Sequence, residues 1–579
     1  MRRRRRIGLA MLVLGALIVL AGAWLIVTGL MARSQLDQVR AEVHRLRAQI
    51  SAGDLSAARV TAAQVRGHAH RAHSLTTGPV WVLAAELPGG GEPVRTIRGI
   101  TAGLDVLGED VLPQLVDASE QLDPHKLRQS DGSIDLAPIA AVVPVLDRAS
   151  TVMATVSNSV RGLPGHTWLS SIDSARSDAI TQLASFTRTV RSAELAARIA
   201  PGLLGQDGPR SYLISFETEA ELRGTGGLPG AFVIAKADHG KLSFTRFESD
   251  SALSGVTSGL DFGPAYDQLY AGAKATQEYS DSNVSPNFPY AAQIWIAMWK
   301  KYSGQQLAGA MAIDPTALSY VLKVTGPARL PDGSQVSASN VVALTQRTVY
   351  AQFDNQIARK QYLIAVARSI SKHLLDNGSG TTGLLRAAGR AASERRIMLW
   401  STDPAAEAEL AKTALGGIVA ETSAPYLGLS INNAAGNKLD YYVDASVDWN
   451  RYGCGATRRV AVTLTVRNDA PSGLPKYVLG RTGIRGYPAR PGDNRLLIGY
   501  FATHGAQLTG ISVNGKQAGA QSGSELGHPV FTVDLQLPRG QTQTVVLNLI
   551  EPAGSGSPIV LRQPLVRPLK VSIHDARCG

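Results

Sequence analysis

The sequence predicts an α+β multidomain chain: one N-terminal membrane-crossing helix, a helical stalk, an α/β middle domain and a C-terminal β-sandwich. Three observations carry this. Ile7 to Met31 is an apolar run without a charge. Residues 32 to about 200 place apolar side chains at helical spacing. From about residue 205 strand-like runs set in, mixed with helices up to about 425 and unmixed beyond it. The expected divisions are 1–31 for the Arg-rich tail and anchor, 32–204 for the helical region, 205–424 for the middle domain and 425–579 for the β-sandwich.

The run from Ile7 to Met31 would make a helix about 37 Å long, enough to cross a hydrocarbon core of about 30 Å with some tilt. Arg2 to Arg6 precede it, so the N-terminus is expected on the cytoplasmic side and everything from Ala32 onward outside. Ala21-Gly22-Ala23 resembles a signal-peptide cleavage site. The apolar run continues past it through Trp24 to Leu30, longer than a signal core, which favours an uncleaved anchor in the cell membrane.

In the helical region Leu36, Val39, Val43, Leu46 and Ile50 follow a 3-4-3-4 seam. It spans only about two heptads before Gly53, so a local bundle is expected rather than a long coiled coil. Further helices are expected over Leu55 to Arg66, Pro93 to Leu122, Leu136 to Val160 and Ser174 to Arg198, divided by Gly/Pro breaks. His68, His70 and His73 cluster here. Their spacing lacks the one-turn repeat of a helical metal pair and no acid or Cys lies beside them in sequence, so a solvated helix end is expected.

Ser211 to Phe216, Ala231 to Ala235 and Leu242 to Phe247 read as strands between Gly-rich turns. Tyr290 to Tyr302 and Asn340 to Leu375 read as helices. Met311-Ala312-Ile313 is a short strand stopped by Asp314-Pro315. Trp295 and Trp299, at helical spacing, are expected in a core. Beyond 425, Leu439 to Trp449 and Arg459 to Asn468 alternate apolar and polar residues, and Asn514-Gly515 is a hairpin signal.

A length of 579 residues suits several domains, and 44% hydrophobic with 18% charged residues suits ordinary cores. The net charge is +12, with Arg2 to Arg6 a large part of it. The remaining excess fits contact with anionic lipid or polymer, and no nucleic-acid module is present. The two cysteines, Cys454 and Cys578, are too few for a cysteine zinc site. Placed outside the membrane, they are expected to form a disulfide.

Tyr212 to Phe216 followed by Glu221-Leu222-Arg223-Gly224-Thr225-Gly226-Gly227 is the most distinctive segment. It resembles the signature of an actinobacterial family known as a domain of unknown function, DUF4012, in which a strand leads into N-N-x-E-L-R-x-T-G-G. Ser285 to Pro289, Ala312 to Leu318, Lys323 to Pro327 and Leu330 to Gly333 resemble further blocks of that family, in the same order. Thr218 and Glu219 stand where the family has paired asparagines. The resemblance implies no activity. Glu221 and Arg223 are expected to pin the turn as an ion pair, with Gly226-Gly227 permitting positive φ. The alternative is a backbone phosphate cradle with Arg223 beside it.

Arg347 to Ile370 is similar to the helix of the LytR-CpsA-Psr phosphotransferases, which attach glycopolymers to cell walls. Arg347, Asp354 and Arg359 to Leu363 occupy the places of that family's Arg segment, its Asp and its R-Q-Q-x-F-L. Arg246 and Asp250 correspond loosely to its P-R-D strand end, without the Pro and with extra residues between. Only one arginine stands at Arg347 where those enzymes carry a pair. The resemblance implies a LytR-CpsA-Psr-like middle domain. Its candidate phosphate-binding residues are Arg223, Arg246, Arg347 and Arg359, with Asp250 as the candidate ligand of a divalent metal such as Mg2+. Glu221 and Asp354 are instead expected in structural pairs, Asp354 with Arg347. No nucleophile elbow, H-E-x-x-H or Walker loop occurs.

The expected function is a membrane-anchored envelope protein, a scaffold or binding module in surface glycopolymer assembly. Its partners would be the membrane and lipid-linked or wall polysaccharide. The alternative is a divergent phosphotransferase acting on lipid-linked pyrophosphate glycans. Convergence of the four arginines on one pocket near Asp250 would favour the enzyme, and their dispersal the scaffold.

Overall fold

The computed structural model describes residues 2–376 and 381–576. The chain forms two compact units, Met1–Asp207 and Gly208–Gly579.

The first unit is helical. Helix Arg2–Ala52 runs unbroken until Gly53 takes a positive φ of 77°. Asp54 then caps the next helix, Leu55–Ser74, through Ala57 N–H at 3.0 Å. The long helix is apolar enough to cross a membrane, and side chains such as Leu12, Val19 and Ile26 are exposed. Such a helix serves as a membrane anchor or a signal sequence. Its 3-4-3-4 seam is used locally. Val39 and Leu46 are buried against Ala58, Ala62, Val65 and Ala69 of the second helix, with Val43 and Ile50 at the margin. Helices Glu92–Val106, Leu112–Gln121, Val143–Arg161 and Ser170–Leu203 follow. Residues 137–161 also pass the length and hydropathy test for a span. Met153, Val156 and Val160, however, sit in a bundle core with Ile100, Val111 and Leu183.

The second unit holds the sheets. β1 (Arg210–Arg223), β2 (Gly226–Asp238), β3 (Lys241–Ser249) and β4 (Gly309–Ile313) come first. A ribbon of β5 (Ala328–Arg329) and β6 (Gln335–Val336) precedes β7 (Ile397–Ser401). The first sheet has the order β3-β2-β1-β4-β7. Only β1 and β4 run parallel. One face of this sheet packs on helix Phe288–Ser303. Trp295 and Trp299 are fully buried there with Leu213, Phe232 and Met398, as core residues.

The remaining strands are β8 (Tyr426–Asn433), β9 (Val443–Tyr452), β10 (Thr457–Asn468), β11 (Asn494–Ala502), β12 (Gln507–Val513) and β13 (Lys516–Gln517). After them come β14 (Gln521–Glu525), β15 (His528–Leu537), β16 (Thr542–Pro552), β17 (Ile559–Leu561) and β18 (Lys570–Asp575). They form two sheets, β13-β12-β16-β10-β9-β18 and β14-β15-β11-β8-β17. Alternate residues of both, among them Leu429, Ile431, Trp449, Val462, Ile498 and Leu547, meet in one apolar core. Period-two alternation produces this directly: one face buries, the other meets water. The β12–β13 hairpin turns on Asn514 and Gly515, both with positive φ. Residue 425 marks a change of texture inside this unit, because Leu222 at the end of β1 is itself part of the two-sheet core.

Two expectations need correction. Asn340 to Leu375 is not one helix. A π-turn occupies Leu344–Thr348 and a short helix Val349–Gln352 follows. Phe353 is extended, and Asn355 restarts the chain by accepting from the Ile357 and Ala358 amides. Helix Gln356–Asp376 then carries Arg359. The break removes the common face on which Arg347 and Asp354 were to pair: Asp354 is exposed, and no ion pair joins them among the described residues. Secondly, Gly226 has a positive φ of 155° but Gly227 does not. Gly227 is required for another reason. A Cβ there would lie 2.2 Å from the Thr218 carbonyl carbon, and one at Gly224 2.2 Å from the Val284 oxygen.

Cys454 is disulfide-bonded, and Cys578 lies outside the described residues. Ala576 N–H donates to Arg451 O at 3.1 Å, so the two chain segments run together just before each cysteine. Peptide mapping under non-reducing conditions is expected to recover Cys454 linked to Cys578; free thiols at both would contradict it. Gly227→Ala is expected to destabilise the fold by about 3 kcal/mol or more in denaturant titration, since a rigid backbone has to move.

Candidate functional site

The odd positions of β1 from Leu213 to Arg223 are all buried, although the pairing with β2 is irregular at Phe216/Glu217 and between Thr218 and Leu222. Ser215, Glu217, Glu219, Glu221 and Arg223 are thereby buried in a row. Three carboxylates on one strand, out of water, must each find donors. They do so in three different ways.

Glu217 makes no ion pair among the described residues. Its carboxylate accepts from Thr225 Oγ1 at 2.7 Å, Asn283 Nδ2 at 3.0 Å and the Gly227 amide at 3.4 Å. Burial pushes its pKa up to about 7, and these hydrogen bonds offset only part of that. Glu219 accepts from Gln346 Nε2 at 2.6 Å and lies 3.4 Å from Arg396 Nη1. The same nitrogen lies 2.7 Å from Asp314. Burial, then the charge of Asp314, hold the Glu219 carboxyl well above its usual range. Two carboxylates thus share one arginine, which favours the protonated form of Glu219.

Glu221 is fully compensated. Arg223 Nη2 donates to it at 3.0 Å and Lys438 Nζ donates to its other oxygen. Burial pushes its pKa up, but the charges of Lys438 and Arg223 outweigh this and leave it below the ordinary value. Arg223 also holds Asp281 at 2.8 Å and the Ser280 carbonyl. The expected Glu221–Arg223 pair is therefore present, inside a larger set. One residue along, the Leu222 amide donates to Asp440 at 2.7 Å. Asp440 also accepts from Asn433 and Asn494, and burial pushes its pKa up to about 6.

Beyond Lys438 the environment turns aromatic. Tyr350 and Tyr477 stack with centroids 5.8 Å apart. The buried Arg359 guanidinium lies 3.5 Å from the Tyr477 centroid and 5.7 Å from that of Tyr350. Its Nη1 donates to Phe353 O at 2.9 Å, and its buried Nη2 has no partner. Next to it opens a cavity of ≈ 300 Å³, lined by Gln346, Arg347, Tyr350, Lys438, Tyr442 and Val478 among others. Arg347 reaches it from the π-turn and lies 5.7 Å from the Tyr441 ring centroid.

The four candidate arginines thus fall into different settings. Only Arg347 opens on the cavity. Arg359 stands behind Tyr350, and Arg223 is consumed by Glu221 and Asp281. Arg246 belongs elsewhere: it pairs with Glu248 at 2.8 Å and covers the rings of Trp299 and Tyr302. Asp250 is held by Lys360 at 2.6 Å. Lys438, Arg396, Asp314 and Glu217 were missed. The available signal was E-x-E-x-E at 217–221 inside a strand, which places three acids on one face.

The raised carboxyl groups set a pH dependence. Glu217 binds its proton more tightly folded than unfolded, so its contribution to stability is full below about 4.5 and lost as pH rises through about 7. Glu525 and Glu551, each pushed up to about 7 by burial, act in the same direction. Melting temperature is expected to fall between pH ~4.5 and ~7. Glu217→Gln is expected to flatten that slope, by an amount worth roughly 3 kcal/mol at most. An unchanged slope would show that Glu217 is ionised in the fold.

No curated protein and no solved structure matches the chain. The family-level match lends no support to the phosphotransferase resemblance. It covers β1 to the π-turn, the stretch that holds the carboxylate row and the turn glycines: residues 207–350 match the family described as a protein of unknown function, DUF4012, to which this part of the chain is similar.

Proposed function

We infer that the chain is an envelope protein tethered by Ile7 to Met31, with its bulk outside the cytoplasm, acting as a non-catalytic scaffold or binding module in surface glycopolymer assembly. One observation carries the choice of scaffold over enzyme. The side chains that would have to gather on a pyrophosphate are dispersed and already engaged: Arg223 by two carboxylates, Arg246 by Glu248 and two rings, Arg359 by two tyrosines, and Asp250 by Lys360. A phosphotransferase needs several fixed cations and a metal-binding carboxylate on one substrate. The cavity beside Arg347 and Lys438 supplies two cations, one of them neutralised by Glu221.

Two measurements test this. A reporter fused after Gly579 is expected to be active only when exported; cytoplasmic activity would overturn the orientation. Full-length protein given a lipid-linked pyrophosphate glycan, an acceptor glycan and Mg2+ is expected to release no lipid phosphate. Release that falls at least ~10-fold in Arg347→Ala, the loss expected of one charged phosphate contact, would replace the scaffold by the phosphotransferase.

A further inference from the structure

The histidines of the helical unit have partners that sequence proximity conceals. His70 and His73 lie three residues apart on helix Leu55–Ser74 and so project from neighbouring positions on its surface. Helix Glu92–Val106 brings Asp105 against them, and the π-turn Leu107–Val111 that continues it brings Glu109. His70 Nδ1 lies 3.2 Å from Asp105 Oδ1, and His73 Nε2 3.9 Å from Asp105 Oδ2. Ligand atoms of His70, Asp105 and Glu109 all lie within 4.8 Å of one another.

We propose that His70, His73, Asp105 and Glu109 form a binding site for a divalent transition-metal ion of the Zn2+ type. Two imidazoles with two carboxylates are a borderline donor set, which selects Zn2+ and its neighbours over Mg2+ or Ca2+. Atoms bound to one Zn2+ at 2.0–2.2 Å stand about 3.3 Å apart in a tetrahedron, the spacing of His70 and Asp105. The remaining separations close by side-chain rotation. His73 is free to contribute, because its Nδ1 is buried without a partner and its Nε2 has only the loose approach to Asp105. The side chains of His70 and Glu109 are 64% and 48% exposed, so an ion reaches them from solvent.

Two further features bear on the site. The backbone between the pairs is held close: a Cβ at Gly108 would lie 3.3 Å from Arg66 Cα and 3.5 Å from Ala69 Cβ. A glycine on the π-turn therefore lets the two ligand-bearing elements meet, and a π-turn is a frequent device at binding sites. Arg66 Nε stands 3.9 Å from Glu109 Oε1, too far for a hydrogen bond. A bound cation displaces this loose pair. His68 is outside the group: its Nδ1 is 2.7 Å from Gln35 Oε1 and its Nε2 3.6 Å from Glu42, on the preceding helix. An ion bridging residues from two helices binds the folded unit better than the unfolded chain and so stabilises it.

Calorimetric titration of the chelator-treated full-length protein with Zn2+ tests the site. Saturable binding near one equivalent is expected, undiminished by excess Mg2+. His70→Ala and Asp105→Asn are each expected to weaken it at least ~10-fold, with helical circular dichroism retained, whereas His68→Ala leaves it unchanged. Absence of saturable binding overturns the proposal. So does binding that survives His70→Ala and Asp105→Asn, or that His68→Ala weakens equally. Should those variants not fold, Co2+ bound to the unaltered protein decides: a visible spectrum of nitrogen and oxygen coordination supports the site, and a hexaaqua-type spectrum overturns it.

Discussion

The second unit depends on how β1 disposes of its buried acids. A strand that carries Glu217, Glu219 and Glu221 inward cannot be buried by apolar packing alone, because an unpaired carboxylate in the interior costs several kcal/mol. Each of the three draws at least one donor from a distant part of the chain. Asn283 serves Glu217, Gln346 and Arg396 serve Glu219, and Lys438 serves Glu221. Apolar cores tolerate alternative packings of similar volume. Directional bonds from four separate segments do not. The arrangement of the helix at Phe288, the π-turn, the strand β7 region and the turn before β9 is set by the same strand end.

That strand end also explains why the first sheet and the β-rich segment are one unit. Leu222 enters the apolar core between the two later sheets while its own amide is held by Asp440. Gln563 donates to the Arg223 and Ile431 carbonyls and accepts from the Ile431 amide. It completes backbone bonding that neither sheet edge supplies alone. Burying a strand end on both faces leaves no water for its backbone groups, so side chains substitute for a ladder. The asparagines and glutamines around it are the consequence.

Strand and helix periodicity was legible because it is local. The Val39–Leu46 seam, the core tryptophans at 295 and 299 and the Asn514-Gly515 hairpin follow from spacing and turn chemistry alone. What spacing did not reveal was breakage and convergence. The π-turn at 344–348 and the extended Phe353 interrupt a stretch whose propensity is helical throughout, because Gln346 is drawn to Glu219 and Tyr350 to Tyr477. Tertiary contacts override a weak propensity. Asp105 and Glu109 could not be assigned to His70 from the sequence for the same reason: about thirty-five residues separate groups that one helix pair brings together.

The arginines show how residue type and spacing can match while the environment differs. A guanidinium takes phosphate or carboxylate oxygens in its plane and an aromatic ring against its face, so one side chain can hold both kinds of partner. In this chain Arg223 and Arg396 have taken carboxylates, Arg359 has taken rings, and Arg246 has taken both. Arg359 lies over two tyrosines, 3.5 Å from the Tyr477 centroid. Ring contact leaves Nη2 without an acceptor, a cost of about 1–3 kcal/mol for a buried donor. On the other side of this stack the Lys438 ammonium lies 6.0 Å from the Tyr350 ring. Arg359 thus supports the wall of the cavity and does not line it. Of the four candidate arginines the one that faces the open space is Arg347, carried there by the π-turn.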